Sequence, residues 1–194
     1  MTSHNTDVRT SRNTALAGTR CCRRLNPDSW IALAFVVWVS SAAAQTPLWI
    51  WNPAKISDTL FVRKKFHIHN RVRSAEIRVC ADDGARVFLN GIEVLPPKSG
   101  RMVQHKDVTS RLRLGRNVLA IRVDRTGGER GLIALLTATL TTGKQQIIAT
   151  DFSWKTSESE TAGWRSVDFD DSNWPKARSI APHGAPPWGP ILSR

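Results

Sequence analysis

Residues 75–94 read AEIRVCADDGARVFLNGIEV, and the spacing of their apolar side chains decides the fold class. In Ala75–Ala81, Ile77, Val79 and Ala81 alternate with Glu76, Arg78 and Cys80. Side chains that alternate with a period of two lie on opposite faces of a strand. Val87–Leu89 and Ile92–Leu95 are two more short strands, separated by Asn90-Gly91. Asn-Gly between strands is the strongest short hairpin signal, because both residues tolerate the positive φ of a type I′ turn. Asp82-Asp83-Gly84 stands at the head of the hairpin. It is predicted to be a strand-to-strand corner, with aspartate side chains capping backbone amides and Gly84 relaxing the backbone.

The same period continues on both sides. In TLFVRKKFHIH (59–69), Leu60, Val62, Phe66 and Ile68 alternate with Phe61, Arg63, Lys65 and His67, and Lys64 interrupts the apolar row. In VLAIRVD (118–124), Leu119, Ile121 and Val123 face one way. LIALLTATL (132–140) has helix-forming composition, but it is nine residues long and is followed by a turn and QIIATD. It therefore reads as the first arm of a hairpin. Pro96-Pro97 ends the element before it. Arg78, Arg86 and Arg122 sit between apolar neighbours and Arg63 follows Val62, the pattern of solvent-facing strand positions. Short strands at roughly ten-residue spacing, with Gly, Asn and Pro between them, predict an all-β fold: an antiparallel β-sandwich.

The first 44 residues read differently. Arg20, Arg23 and Arg24 precede the apolar run WIALAFVVWV (30–39), and SSAAA (40–44) supplies small residues. That order predicts a signal peptide with a long basic n-region over 1–44, cleaved after Ala44; retention as an anchor helix is the alternative. The domain would then occupy 45–194, be extracytoplasmic, and have no membrane span after cleavage. From Gln45 onward 23 Lys+Arg stand against 14 Asp+Glu, a formal charge of +9. Such a balance favours polyanions. Export argues against nucleic acid, and no aromatic-interleaved basic run is present. Cys80 is the one cysteine after residue 44, and it reads as a small buried hydrophobe.

Several residues are candidates for a binding role. Trp49 and Trp51 flank Ile50, which predicts two indoles on one side of an extended segment. With Trp188 they could stack on the apolar faces of sugars, or plug the ends of the sandwich. Asp151 and Trp154, like Asp171 and Trp174, stand in D-x-x-W, a setting in which the aspartate would receive an indole or backbone N–H. Asp82 and Asp83 are neighbours and point apart in extended structure, so they are a poor glycosidase pair. They also lack the alternate oxygen ligands of an EF-hand loop. No cofactor is expected, and a structural calcium ion held by separate loops stays open. His67 and His69 share a strand face without a third ligand nearby. No nucleophile elbow or phosphate loop is present, and the chain is not expected to be an enzyme.

The order of LWIWNP, FVRKKFHI, AEIRVCADDGARVFLNGIEV, DVTSRLRLGRNVLAIRV, TDFSWKTS, GWRSVDFDDSNWPKA and PPWG resembles the galactose-binding-like jelly-roll domains that accompany bacterial glycoside hydrolases. Among these it is similar to the N-terminal accessory domain of α-L-rhamnosidases. The resemblance runs through residues 47–190 and implies a sandwich of about eight or nine strands with a non-catalytic role, usually sugar recognition or docking beside a catalytic domain. Relatives often carry an Asn-containing turn after the NVLAIRV strand, where this chain has Asp124-Arg125. The expected function is carbohydrate binding, with polysaccharide of negative charge as the partner. Trp49, Trp51 and Trp188 would stack, Asp82 and Asp83 would accept hydroxyl hydrogen bonds, and Arg125 would meet an acidic group. The alternative is an envelope structural module that docks onto an envelope protein.

Overall fold

The computed structural model describes residues 46–54, 57–98, 101–125, 127 and 129–193. The signal segment expected over 1–44 lies outside them. The described strands are β1 (Leu48–Trp51), β2 (Thr59–Ile68), β3 (Val72–Ala81), β4 (Gly84–Leu89), β5 (Ile92–Leu95), β6 (Gln104–Asp107), β7 (Gly115–Asp124), β8 (Leu132–Leu140), β9 (Gln145–Ala149), β10 (Lys155–Ser157) and β11 (Arg178–Pro182). They form two antiparallel sheets. The first runs β11-β1-β8-β3-β6 with β9 also on β8, and the second runs β10-β2-β7-β4-β5. These eleven exceed the eight or nine implied by resemblance; β10 and β11 come from the Trp- and Pro-rich tail. No described helix is long and apolar enough to cross a membrane.

Alternation builds the core. Ile77, Val79 and Ala81 of β3 and Leu132, Ala134 and Leu136 of β8 point inward, against Leu60 and Val62 of β2 and Leu119, Ile121 and Val123 of β7. The Asn90-Gly91 turn has φ of 53° and 83°, as a type I′ turn requires. Asn90 also ties the turn to β7: its Oδ1 accepts the Val118 N–H at 3.0 Å, and its Nδ2 donates to Asn117 Oδ1 at 2.8 Å. LIALLTATL pairs with 145–149 as a hairpin, in register from Leu135↔Ala149 to Thr139↔Gln145. Cys80 is buried.

The outer faces are not solvated throughout. On the second sheet, Phe61, Phe88 and Ala120 are covered by Trp164, with Phe169 and Trp174 beside it. On the first, Trp49, Cys80 and Ile133 are covered by Trp188 and Leu192. One tail, residues 151–192, therefore roofs both sheets.

This corrects the reading of Arg63 as a solvent-facing residue. Its side chain is fully buried because the tail closes over it. Nη1 donates to Asp171 Oδ2 at 2.8 Å and to the Phe169 carbonyl at 3.2 Å, and Nη2 donates to the Ser166 carbonyl at 2.7 Å. Burial pulls the Arg63 pKa down, and the Asp171 charge opposes that shift. The D-x-x-W motifs meet expectation in part: Asp151 Oδ1 accepts the Ser153 backbone N–H at 2.7 Å, whereas the Asp171 carboxylate goes to Arg63 and Lys65. The Trp154 and Trp174 backbone N–H groups donate to the backbone carbonyls of Asp151 and Asp171, closing tight turns. The Trp154 indole donates to the Ala149 carbonyl.

Removing one partner of a buried ion pair leaves the other charge uncompensated. Asp171→Ala is expected to lower the unfolding free energy by about 3 kcal/mol, read by urea denaturation with an unchanged m-value. A loss below about 0.5 kcal/mol, the range of ordinary surface substitutions, would show that the carbonyls alone hold Arg63.

Candidate functional site

One end of the sandwich gathers the β1–β2 loop, the β3–β4 corner, the segment after β5 and the β7–β8 loop. The corner is Asp82-Asp83. Asp82 follows the last buried residue of β3, and its backbone N–H donates to the Gly131 carbonyl at 3.1 Å, which fixes the corner to the start of β8. Asp83 Oδ2 accepts the Gly127 N–H at 3.4 Å, so a carboxylate does cap a backbone amide here, across loops and not within its own turn.

The Asp82 side chain is only 6% exposed. Its Oδ1 accepts from Arg101 Nε at 2.8 Å and from Trp188 Nε1 at 3.2 Å, while its Oδ2 is buried without a partner. A carboxylate so enclosed is not open to a sugar hydroxyl. Asp82 instead holds Arg101 at the rim and anchors the indole that covers the first sheet.

The three indoles need the same correction. Trp49, Trp51 and Trp188 are 0%, 1% and 6% exposed, so none offers a free face to a sugar. Trp49 and Trp188 stack on each other, with centroids 4.5 Å apart and planes at 19°; each supplies the partner that a sugar ring would have supplied. Trp49 and Trp51 do not share a side. Pairing with β11 slips by one residue between Trp49 and Ile50, so the alternation fails there. Trp49 joins the outer cluster and Trp51 the main core.

Arg125 crosses between loops. Its Nη1 meets Asp58 Oδ1 at 2.6 Å, and its backbone N–H donates to the Asp58 carbonyl at 2.8 Å. Arg130 Nη2 reaches the same carboxylate at 3.4 Å. Its Nε is buried without a partner. Asp124 is held by Arg122, with Nε at 3.0 Å from Oδ1, and by the Thr59 hydroxyl at 3.2 Å. The accessible rim therefore alternates carboxylates (Asp58, Asp83) with guanidiniums (Arg101, Arg125, Arg130). Such groups bond hydroxyls and acidic groups in directed pairs. Asp58, Arg101 and Arg130 were not singled out from sequence, because each lies far along the chain from the residue it serves.

Gly131 is what allows the indole pair to seat. A Cβ there would stand 2.9 Å from Trp188 Cζ2 and 2.9 Å from Trp49 Cε3. Cys80 packs in the same cluster. Burial pushes its thiol up to about 12, with the Arg101 charge opposing and the Asp82 charge adding. His67 and His69 lie elsewhere, on β2 and just past its end, exposed and with ring centroids 4.6 Å apart. Among the described residues no three His, Cys, Asp or Glu converge as a metal site.

No family model matches the chain. In an alignment of 175 positions that covers 79% of its length, it is 31% identical to an α-L-rhamnosidase of Streptomyces avermitilis, and it spans 17% of that protein. The crystal structure of the S. avermitilis enzyme complexed with L-rhamnose matches with a TM-score of 0.70 over 75% of this chain and 15% of that one. A Pleurotus ostreatus lectin, solved in complex with GalNAc, matches with a TM-score of 0.68 at 25% identity, over 75% of this chain and 45% of the lectin. A GH78 family rhamnosidase of Bacillus sp. GL1 matches at 0.63 and 28% identity, over 73% of this chain and 19% of that one. The chain is thus similar to one segment of α-L-rhamnosidases and to a lectin, and its fold is the jelly-roll, galactose-binding-like sandwich.

Two outcomes follow from this packing. Gly131→Ala is expected to cost about 1–3 kcal/mol by overpacking, with loss of the near-ultraviolet circular dichroism of the stacked indoles. Cys80 is expected to stay inert to thiol reagents in the native state. Because its folded pKa lies above the ordinary 9.0, its contribution to stability is complete below pH 9 and is lost as pH rises toward about 12. Comparing Cys80→Ala with the parent by urea unfolding across that window isolates the slope.

Proposed function

We propose that the chain is a non-catalytic carbohydrate-binding module of an extracytoplasmic protein, and that it takes polysaccharide of negative charge. Two similarities support the reading: to a segment of a rhamnosidase solved with L-rhamnose, and to a lectin solved with GalNAc. The segment is under a fifth of the S. avermitilis enzyme, a span suited to an accessory role. The observation that carries the reading is the sandwich-end rim, where Asp58 and Asp83 stand among Arg101, Arg125 and Arg130. Aspartates accept sugar hydroxyls, and arginines meet carboxylate or sulfate with paired bonds. The formal +9 after residue 44 adds a long-range pull toward acidic chains.

The indoles have a supporting role in this reading. Trp188 holds Asp82 and so sets the Arg101 guanidinium; sugar contact falls to the polar rim.

A glycan array of neutral and acidic oligosaccharides tests the proposal directly. The folded protein is expected to retain acidic glycans. Arg125→Ala and Asp83→Ala should each weaken retention on the order of ten-fold or more, the worth of a lost charge-assisted hydrogen bond. Flat binding to every glycan by the folded parent protein would sink the proposal. A stoichiometric protein partner that survives glycan competition would favour the envelope-docking alternative.

A further inference from the structure

The two sheets part along one side of the sandwich. There β5, the edge of the second sheet, lies beside β6, the edge of the first. Between them is a cleft of about 400 Å³, within the range of roughly 300–1,000 Å³ that ligand pockets occupy.

The register shows what points into it. On β6, Gln104 pairs with Val79 and Lys106 with Ile77. Val79 and Ile77 are core residues that face the opposite sheet, and directly paired residues share a face. Gln104 therefore projects into the space between the sheets, and Lys106, on the same face of β6 but exposed, stands at its mouth. Gln104 is 7% exposed, and its Oε1 is buried with no hydrogen-bond partner. An acceptor left unsatisfied in this way costs about 1–3 kcal/mol.

Val94 and Pro96 make an apolar wall, and Lys98 joins Lys106 as a second ammonium. Val103 and His105 border the cleft from the outer side of β6. Among the described residues neither lysine has an ion-pair partner. Nearby carboxylates are committed elsewhere: Glu93 faces Arg86 at 3.8 Å, and Asp107 Oδ1 accepts the Thr109 N–H at 2.9 Å. The cleft thus presents an apolar wall, one buried acceptor and two free cations.

We propose that the cleft between β5 and β6 is a second sugar subsite, selective for a unit that carries a carboxylate or sulfate. The C–H face of the ring lies on Val94 and Pro96. One hydroxyl donates to Gln104 Oε1, and the anion sits between Lys98 and Lys106. This inference rests on the carbohydrate reading above but places contact at the sandwich edge, away from the loop rim.

The test is a titration of ¹⁵N-labelled protein with digalacturonic acid, with a monosulfated galactose, and with neutral galactobiose, followed by amide chemical shifts. At least one acidic sugar is expected to shift residues 94–98 and 103–106, and galactobiose to bind at least ten-fold more weakly there. Lys106→Glu, at an exposed position, should weaken the acidic sugar on the order of ten-fold or more. Gln104→Leu should weaken it about two- to ten-fold while leaving the free protein as stable or more so, since it removes an unpaired acceptor. Shifts confined to Asp83, Arg125 and their neighbours would overturn the cleft and leave the carbohydrate reading standing. No shift anywhere with any of the sugars would overturn both.

Discussion

The structure depends on how a buried arginine is satisfied. Arg63 sits in the middle of β2, on the face turned away from the core, where a long charged side chain would ordinarily reach water. Instead it receives Asp171 and two backbone carbonyls from the tail, while its guanidinium lies 4.8 Å from the Phe169 ring centroid. Lys65 shares the same carboxylate at 3.2 Å. A buried charge is tolerated when it is paired, and the tail supplies that pairing through both terminal nitrogens, while Nε stays buried without a partner. Once fastened there, the tail covers Phe61 and Phe88 with Trp164, pairs as β11 with β1, and delivers Trp188 to the opposite sheet. The corner at Asp82 is therefore set, through more than one hundred residues of sequence separation, by a fastening on the other face of the sandwich.

Alternation explains why much of the fold was legible and where legibility stopped. It identifies which side chains share a face, and for β2, β3, β7 and the 132–149 hairpin that was enough to give strand, partner class and core. It is silent on what covers the other face. Arg63 and Phe61 stand on one face in the sequence pattern and in the structure; only the tail makes that face interior. Trp49 and Trp51 fail for a different reason: a one-residue slip in pairing undoes the parity on which the inference rests. Both failures arise from contacts that no window of ten or twenty residues contains.

The candidate site follows the same division. Asp82, Asp83 and Arg125 are at the sandwich end, as a corner and a strand terminus must be. Their roles separate according to burial. Asp82 is spent on Trp188 and Arg101, Arg125 on Asp58, and Asp83 on the neighbouring loop. Asp-Asp adjacency carried the idea of a paired acceptor. In the fold the two carboxylates serve different loops, since neighbouring residues leaving a strand point apart.

Net charge identifies a class of partner but not a place, and ion pairing supplies the place. Arg78, Arg86, Arg101, Arg116, Arg122 and Arg125 each have a carboxylate within 4.0 Å. Each pair offsets part of the arginine's field, and exposed pairs of this kind add little stability. The basic excess is strongest on cations without such neighbours, and its effect depends on where the fold puts them. Lys106 is carried to the mouth of the intersheet cleft by the register of β6, beside an amide that has no partner, and Lys98 meets it from the segment after β5. An ammonium on the inward face of an edge strand contributes nothing to a hydrophobic core. Its position is accounted for physically if what completes that side of the sandwich is an anionic ligand with hydroxyls to offer.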